Sequence, residues 1–453
     1  MFQAFRMFLI ALSILAPASY SQQILDEVNL RSEEVSGLHL SGLSVYGGYS
    51  TSVYPATLQS AASLLATSGL GGDATYGVMG SIGWQRHFGR SYLYANYTGS
   101  YNRQAHYSQL DAVGQSLSVG FSRQLGRKWM LTMSAMGQDS TVAQYLFAPS
   151  QLAITSQLPA SFDDLAAAFS VGQFSSSQIA SMLTGAPLLE SPERTLLLGD
   201  RILDYSGSVN LAVAVSRRVT IQLSSFAAGG QYRVGGGTAY QADYLLPVTF
   251  GGSGGVSFSY NLSPRTTVGL SFQEMRQVNR LQASYITSGT ASFGRKLSEH
   301  WFARLAAGSS YALMTRQISG TPPSWQIIGG AGLGYKVRSH ALLASYDRTG
   351  TDSFGLAVGT SSTFKGGWDW HRPGSGWNVV ASFGGEQIRN TGYSSLDGWQ
   401  ASGSVSRYLT SRTSATVEYV YFDSYGLFAG QRLDRSIQSV RLSLGWTPQA
   451  ALR

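Results

Sequence analysis

Two histidines in the chain stand two residues before a serine, a spacing that puts both side chains on one face of a β-strand. His39 precedes Ser41 on the first predicted strand, whereas His106 precedes Ser108 in a predicted outer loop. A histidine beside a serine could act as base and nucleophile in hydrolysis, but that chemistry needs a third group that orients the histidine. The sequence offers no such group for either pair, and the histidines at positions 87, 300, 340 and 371 fall in or beside predicted turns. We therefore predict no catalytic residue.

Sites for a bound group are equally sparse in the sequence. Gly329, Gly330, Gly332 and Gly334 lack the G-x-G-x-x-G spacing of a phosphate-binding loop, and no helical pattern follows them. Positions 330, 332 and 334 share one strand face, which we interpret as small residues beside a bulky plug. The chain has no cysteine, and no pair of histidines or carboxylates has metal-ligand spacing on one element. We predict neither a metal site nor a cofactor.

Charged side chains are rare and scattered. They make up 12% of the residues, against roughly 25% in ordinary soluble domains. The formal charge is +8, yet the arginines are spread one or two to each predicted turn and are not clustered beside aromatic platforms. This distribution argues against nucleic acid as a partner.

The elements that must position these residues repeat one pattern, in which two alternating strands flank a short basic turn. Residues 83–92 and 120–129 share glycine, aromatic residue, arginine, Gly-Arg and a second aromatic residue in register. Period-2 alternation continues to residue 446 and predicts about 18 strands, with 16 as the alternative. The predicted fold class is all-β, a transmembrane antiparallel β-barrel with a long, partly helical loop after strand 5.

The alternation also predicts which face of each strand meets lipid. One face is apolar, as at Val119 and Leu442, and the other holds small polar residues such as Ser404. Most tryptophans fall near predicted strand ends, as in the aromatic girdles of membrane barrels. Lipid satisfies no backbone hydrogen bond, so spanning strands must close into a barrel. A soluble β-sandwich or propeller with surface aromatics is the alternative.

The chain ends give the predicted domain organisation. Residues 1–21 have the basic start, apolar core and small residues of a signal peptide, with cleavage after Ala18 or Ser21. Residues 22–36 follow as a periplasmic segment, 37–447 as the barrel and 448–453 as a tail. Short turns follow even strands and long connections follow odd ones, which predicts that both termini lie in the periplasm.

The last strand, residues 439–446, alternates and ends on Trp446. With the hairpin pattern, this strand resembles the assembly signal of bacterial outer-membrane β-barrel proteins of the porin-like type. The resemblance covers about residues 37–447. It implies contact with outer-membrane lipid and with the barrel-assembly machinery, and a small polar solute or a polysaccharide as a further partner.

Strand parity nominates four charged residues as lumen-facing: Arg304, Lys336, Glu418 and Arg441. As pore-lining residues they would make a mildly anion-favouring passage. The alternative is that they are merely solvated residues of the wall.

The connection at 139–201 interrupts the hairpin rhythm and is acidic. Its candidate constriction residues are Asp163, Asp164, Glu190 and Glu193, and short helices are predicted at 161–169 and 176–183. A connection of this length is usually functional or disordered. We expect either a plug that folds into the lumen or an extracellular flap.

Three functions are compatible with these features. We predict a non-enzymatic passive diffusion channel or export conduit for polar or anionic solutes. The alternative is a non-conducting envelope barrel that acts as an adhesin, scaffold or exopolysaccharide-secretion partner. An outer-membrane lipid hydrolase is the third.

Overall fold

The computed structural model describes residues 37–51, 71–108, 111–141, 201–233, 249–279, 283–315, 323–337, 339–353, 357–371, 376–390, 394–428 and 431–448. The predicted signal peptide, the segment at 22–36, both predicted helices and most of the C-terminal tail lie outside these residues. So do the constriction-loop candidates Asp163, Asp164, Glu190 and Glu193. Among the described residues, no helix is long and apolar enough to cross a bilayer.

Eighteen antiparallel strands form one closed sheet, which confirms the predicted count and fold class. Each strand pairs with its neighbours in the chain, and β1 pairs with β18 from Leu43↔Trp446 to Ser50↔Ser439. The strands are β1 Gly37–Ser50, β2 Asp73–Phe88, β3 Ser91–Gln104, β4 Ala112–Leu125, β5 Trp129–Thr141, β6 Arg201–Ala214, β7 Val219–Arg233, β8 Thr249–Ser263, β9 Thr266–Asn279, β10 Ala283–Lys296, β11 Trp301–Thr315, β12 Ser324–Val337, β13 His340–Ser353, β14 Ala357–His371, β15 Trp377–Asn390, β16 Ser394–Tyr408, β17 Thr413–Phe428 and β18 Gln431–Trp446.

The alternating sequence gives the barrel an apolar outer face and a polar inner face. Along β18, Val440 and Leu442 are 51% and 54% exposed, whereas Arg441 and Ser443 are 8% and 7% exposed. Side chains on the concave face converge and cover one another, while those on the convex face stand apart. The predicted orientation of the strands is therefore confirmed, and the outer surface is suited to hydrocarbon.

The two ends of the barrel differ in the length of their connections. Even strands end in short turns, and Gly89 and Gly126 adopt positive φ angles of 58° and 80° in two of them. Glycine adopts this conformation without a Cβ penalty. We call this end the turn end and the opposite one the loop end. β1 begins and β18 finishes at the turn end.

Tryptophan is concentrated on the outer face at the turn end. The Trp301 ring packs against that of Tyr335 at an interplanar angle of 43°. The Arg407 guanidinium lies over the ring of Trp377. Indole rings favour the boundary between headgroups and hydrocarbon, so these rings mark one membrane interface. The tryptophans of this girdle are Trp84, Trp129, Trp301, Trp368, Trp370, Trp377 and Trp446.

The turn end is also strongly basic. Within the described turns and the three strand residues beside each, the only carboxylates are Glu299 and Asp369. The basic residues there are Arg86, Arg90, Arg123, Arg127, Lys128, Arg217, Arg218, Arg265, Arg295, Lys296, Lys336, Arg407 and Arg412. We call this set the basic rim.

At the loop end the sheet overlaps itself between β12 and β13. These strands pair from Val337↔His340 only as far as Gly329↔Arg348, although both continue for five more residues. At Gly329 a Cβ would collide with the carbonyl oxygen of Ala306, so glycine permits the divergence. Beyond this point β13 contacts β10 and β11, and β14 contacts β11. We call residues 349–353 and 357–361 the overlap.

The overlap lies against an apolar part of the inner wall. A Cβ at Gly350 would stand 2.9 Å from Ser310 Oγ and 3.2 Å from Ile286 Cγ2, which places β13 directly on β10 and β11. Ile286, Ala312 and Met314 are buried there as one cluster. Apolar residues inside a polar lumen are thus explained, because the overlap removes them from water.

The predicted bounds of these two strands were wrong. The period-2 alternation predicts the thirteenth strand at 341–348 and the fourteenth at 353–364. The structure instead extends β13 to Ser353 and places β14 at Ala357–His371. Thr, Gly and Asp at 349–352 resemble a loop in composition. Pairing with β14 and packing against the wall override that local preference.

Candidate functional site

The inner wall has two chemically distinct halves. Inner-face positions of β3–β9, the hydroxyl half, hold mainly Ser, Thr, Asn, Gln, Tyr and Gly, with Asp204 as their one charged position among the described residues. We call the inner-face positions of β11–β18 the charged half. Near the middle of the wall, this half holds three of the four residues that the sequence predicts to face the lumen. These are Arg304, Glu418 and Arg441.

Side chains of the hydroxyl half pair through neutral hydrogen bonds. Ser134 and Ser208 lie opposite each other on β5 and β6, with 2.7 Å between their hydroxyl oxygens. Thr267 donates to the amide oxygen of Asn261 at 2.8 Å across β8 and β9. Such groups can exchange partners with lumenal water at little cost.

Glu418 and Arg441 form a buried ion pair in the charged half. They lie opposite each other on β17 and β18, and Arg441 donates to the Glu418 carboxylate. Both residues are less than 9% exposed, and the Arg441 guanidinium lies 5.8 Å from the ring centre of Tyr46 on β1. The pair therefore ties the strands next to the β18–β1 closure.

A second charged group crosses four neighbouring strands. Arg304, Asp347, Lys365 and Glu386 lie half-buried on the inner faces of β11, β13, β14 and β15, and we call them the charge ladder. Arg304 interacts electrostatically with Asp347, and Lys365 with both Glu386 and Asp347. Ser361 also donates a 2.5 Å hydrogen bond to Glu386. Cations and carboxylates alternate, so the ladder is neutral overall.

The register of the strands sets the order of charges within the ladder. Arg304 and Lys365 lie on one row of cross-strand partners that runs through Gly332 and Ser345. Asp347 and Glu386 lie on the row two residues nearer the loop end, joined through Thr363. Each carboxylate is thus a diagonal neighbour of Lys365, at a spacing of roughly 7–8 Å between backbones that long side chains can span.

Glycines on β12 form the part of the wall that lies beneath the ladder side chains, which we call the floor of the ladder. Gly330 and Gly332 separate Arg304 from Asp347, and a Cβ at Gly330 would collide with the Asp347 carboxylate. At Gly334 the space is filled by the ring of Phe302. Side chains of the wall itself thus occupy the space at Gly330 and Gly334. Most of the predicted plug at 139–201 lies outside the described residues, so the expectation that these glycines adjoin it stays a prediction.

Lys336 lies apart from the other predicted lumen residues. It is on the inner face of β12, is exposed, and belongs to the basic rim. The sequence analysis missed Asp347, Lys365 and Glu386. Parity within the predicted strands at 341–348 and 377–386 already places Asp347 and Glu386 on the inner face. Lys365 lies one residue beyond the predicted strand at 353–364, and the correct end of β14 would have added it, since all three share a face with small polar residues such as Ser345 and Ser382.

Neither histidine–serine spacing forms a catalytic arrangement in the structure. The His39 Nδ1 atom lies 3.2 Å from the carbonyl oxygen of Gly37. His106 instead contacts Asp73, whose carboxylate is 2.8 Å from His106 Nδ1 and accepts backbone N–H bonds from His106 and Tyr107. This contact fastens the β3–β4 connection to the loop end of β2. Among the described residues, no three histidines or carboxylates come together as a metal site.

Comparison with known proteins gives matches to solved structures alone. No family model and no curated protein sequence matches the chain. The solved OccK2 (OpdF) of Pseudomonas aeruginosa, crystallised with glucuronate, aligns over 92% of this chain and all of its own, at 9% identity and a TM-score of 0.44. OpdK of the same organism aligns over 90% and 98%, at 10% identity and 0.42. The FrpB iron transporter of Neisseria meningitidis aligns over 90% and 81%, at 9% identity and 0.43.

The surface of the barrel indicates the environment in which the chain folds. Its strands close without a free edge through β1 and β18, its outer face is apolar between an aromatic girdle and the loops, and its inner face is polar. A closed barrel with an apolar outer face can span a lipid bilayer, because its backbone hydrogen bonds are all made between strands. The chain is therefore a closed 18-stranded β-barrel with an outer face suited to lipid, which is the fold that the sequence resemblance implies.

Proposed function

We propose that the protein is a passive diffusion channel of the outer membrane for polar solutes, anions included, with both termini on the periplasmic side. The observation that supports this function best is the polar inner wall of a closed 18-stranded barrel. Barrels of 16–18 strands leave an aqueous lumen. The short turns then face the periplasm, as they do in other barrels of this class.

The charges of the inner wall support a weak rather than a strong ion preference. Glu418 balances Arg441, and the ladder balances itself. Lys336 and the rest of the basic rim supply an excess of positive charge at the turn end, which favours the entry of anions there. Hydroxyl and amide groups elsewhere can hydrogen-bond sugars and other neutral polar solutes.

Conductance of the refolded protein in a planar lipid bilayer tests the proposal. We expect stepwise single-channel currents in KCl and a reversal potential displaced modestly toward that of chloride. Heat-modifiable migration on a gel confirms that the sample is a closed barrel. A folded barrel that gives no current would contradict the channel and favour the scaffold or secretion-partner alternative.

The overlap should narrow the lumen, and its removal tests that role. Replacing residues 350–359 with a short Gly-Ser turn leaves the pairing of β13 with β12 intact up to Arg348 and exposes the wall beneath. We expect a larger conductance, because less of the cross-section is occupied. Shortening the β15–β16 connection at 390–394 is the matched control and should leave conductance unchanged.

A further inference from the structure

We propose that the charge ladder is a binding subsite that selects zwitterionic solutes over solutes with a net charge. This inference rests on the proposed channel function, whose solute class it narrows. Its components are Arg304 and Lys365 on one row of the wall and Asp347 and Glu386 on the next.

The ladder lies on the inner wall directly beside the overlap. Asp347 directly precedes Arg348, the last β13 residue that pairs with β12, so the ladder stands at the foot of the overlap. On the loop side of this point, β13 and β14 lie over the inner faces of β10 and β11. A solute in the lumen can therefore reach the ladder just below the section that the overlap occupies.

Charge balance determines which solutes the ladder can accept. A lone anion that pairs with Lys365 weakens the contacts of that cation with Asp347 and Glu386, so that Arg304 is the one ladder cation left to offset two half-buried carboxylates. Removing the partner of a buried charge is costly. A zwitterion supplies both charges, because its carboxylate pairs with Arg304 or Lys365 while its ammonium pairs with Asp347 or Glu386. The ladder then remains neutral in the loaded state.

The spacing of the two rows favours a solute whose opposite charges are separated by several bonds. Rows two residues apart place the backbones of a cationic and an acidic residue roughly 7–8 Å apart diagonally, a distance that their flexible side chains can span. The floor at Gly330 and Gly332 carries no side chains of its own. An aliphatic ω-amino acid can lie across the rows with each end beside an opposite charge.

Single-channel recording with three probes of similar length tests the subsite. The probes are 6-aminohexanoate, which is a zwitterion, hexanoate, which is an anion, and hexylammonium, which is a cation. In wild-type protein we expect 6-aminohexanoate to interrupt the KCl current at about tenfold lower concentration than either singly charged probe, equivalent to about 1.4 kcal/mol.

Charge-balanced substitution separates the ladder from the rest of the wall. The double variant Lys365→Met with Glu386→Gln keeps the net charge and should abolish the preference for 6-aminohexanoate while KCl conductance persists. Ser134→Ala with Ser208→Ala, in the hydroxyl half, is the control and should retain the preference. Single variants should shift the reversal potential in opposite directions, with Arg304→Gln favouring cations and Glu386→Gln favouring anions.

The possible outcomes distinguish the subsite from the channel. A conducting wild-type barrel that responds equally to the three probes would overturn the subsite and leave the channel intact. A preference that survives the ladder double variant would overturn it as well. A folded barrel without KCl current would overturn the channel function itself, and the inference with it.

Discussion

The two halves of the inner wall meet the same lumen with different chemistry. In the hydroxyl half, neutral pairs such as Ser134 and Ser208 can exchange each other for water. In the charged half, Glu418 and Arg441 are buried, and each depends on the other for compensation. The comparison teaches that polarity and charge have separate consequences in this barrel. Neutral polar groups keep the wall hydrated, whereas charged groups tie neighbouring strands together through ion pairs.

The largest effect should come from breaking the buried ion pair. Glu418→Ala leaves Arg441 uncompensated beside Tyr46, so we expect a loss of about 3–5 kcal/mol in the free energy of unfolding. Urea unfolding in lipid vesicles measures this loss. Ser404→Ala, the neighbouring inner-face change on β16, serves as the control and should cost far less.

A double substitution sharpens the same test. Glu418→Met combined with Arg441→Met removes both charges and should recover much of the stability lost in Glu418→Ala, because no lone charge remains buried. If the double variant is less stable than Glu418→Ala, the ion pair adds net stability to the barrel and does more than offset the cost of burying its two charges.

The outer face should respond alike on both sides of the barrel. Val119→Arg behind the hydroxyl half and Leu442→Arg behind the charged half each put a cation toward hydrocarbon, and we expect a loss of about 2–4 kcal/mol for each. Ser404→Arg on the inner face should cost little. Similar losses at inner and outer positions in lipid vesicles would show that the assigned orientation is wrong.

The smallest effect is expected in the hydroxyl half. Ser134→Ala removes one neutral hydrogen bond at 2.7 Å, and we expect a loss of about 0.5–1.5 kcal/mol, or less where water replaces the lost group. The measurement is again urea unfolding in lipid. A loss as large as that of Glu418→Ala would remove the energetic difference between the halves.

Much of this architecture could be predicted from the sequence, because a lipid-facing strand must alternate. Period-2 patterns gave 18 strands and placed Arg304, Glu418 and Arg441 on the inner face. The overlap could not be predicted, since the seat for Gly350 is formed by β10 and β11, about 40–60 residues earlier in the chain. One member of the ladder, Lys365, was missed for a related reason. Lys365 lies one residue beyond the predicted end of β14, so parity was not applied to it.

The basic rim makes the two mouths of the barrel electrically unequal. At the loop end, Arg103 lies 3.8 Å from Asp111 and Arg389 lies 2.8 Å from Asp397, so both of these arginines have carboxylate partners. At the turn end the described carboxylates are far outnumbered. Ions approaching from opposite sides therefore meet different local potentials. A channel built in this way should rectify, passing more current at one sign of voltage than at the other, and the asymmetry should fade as salt screens the rim.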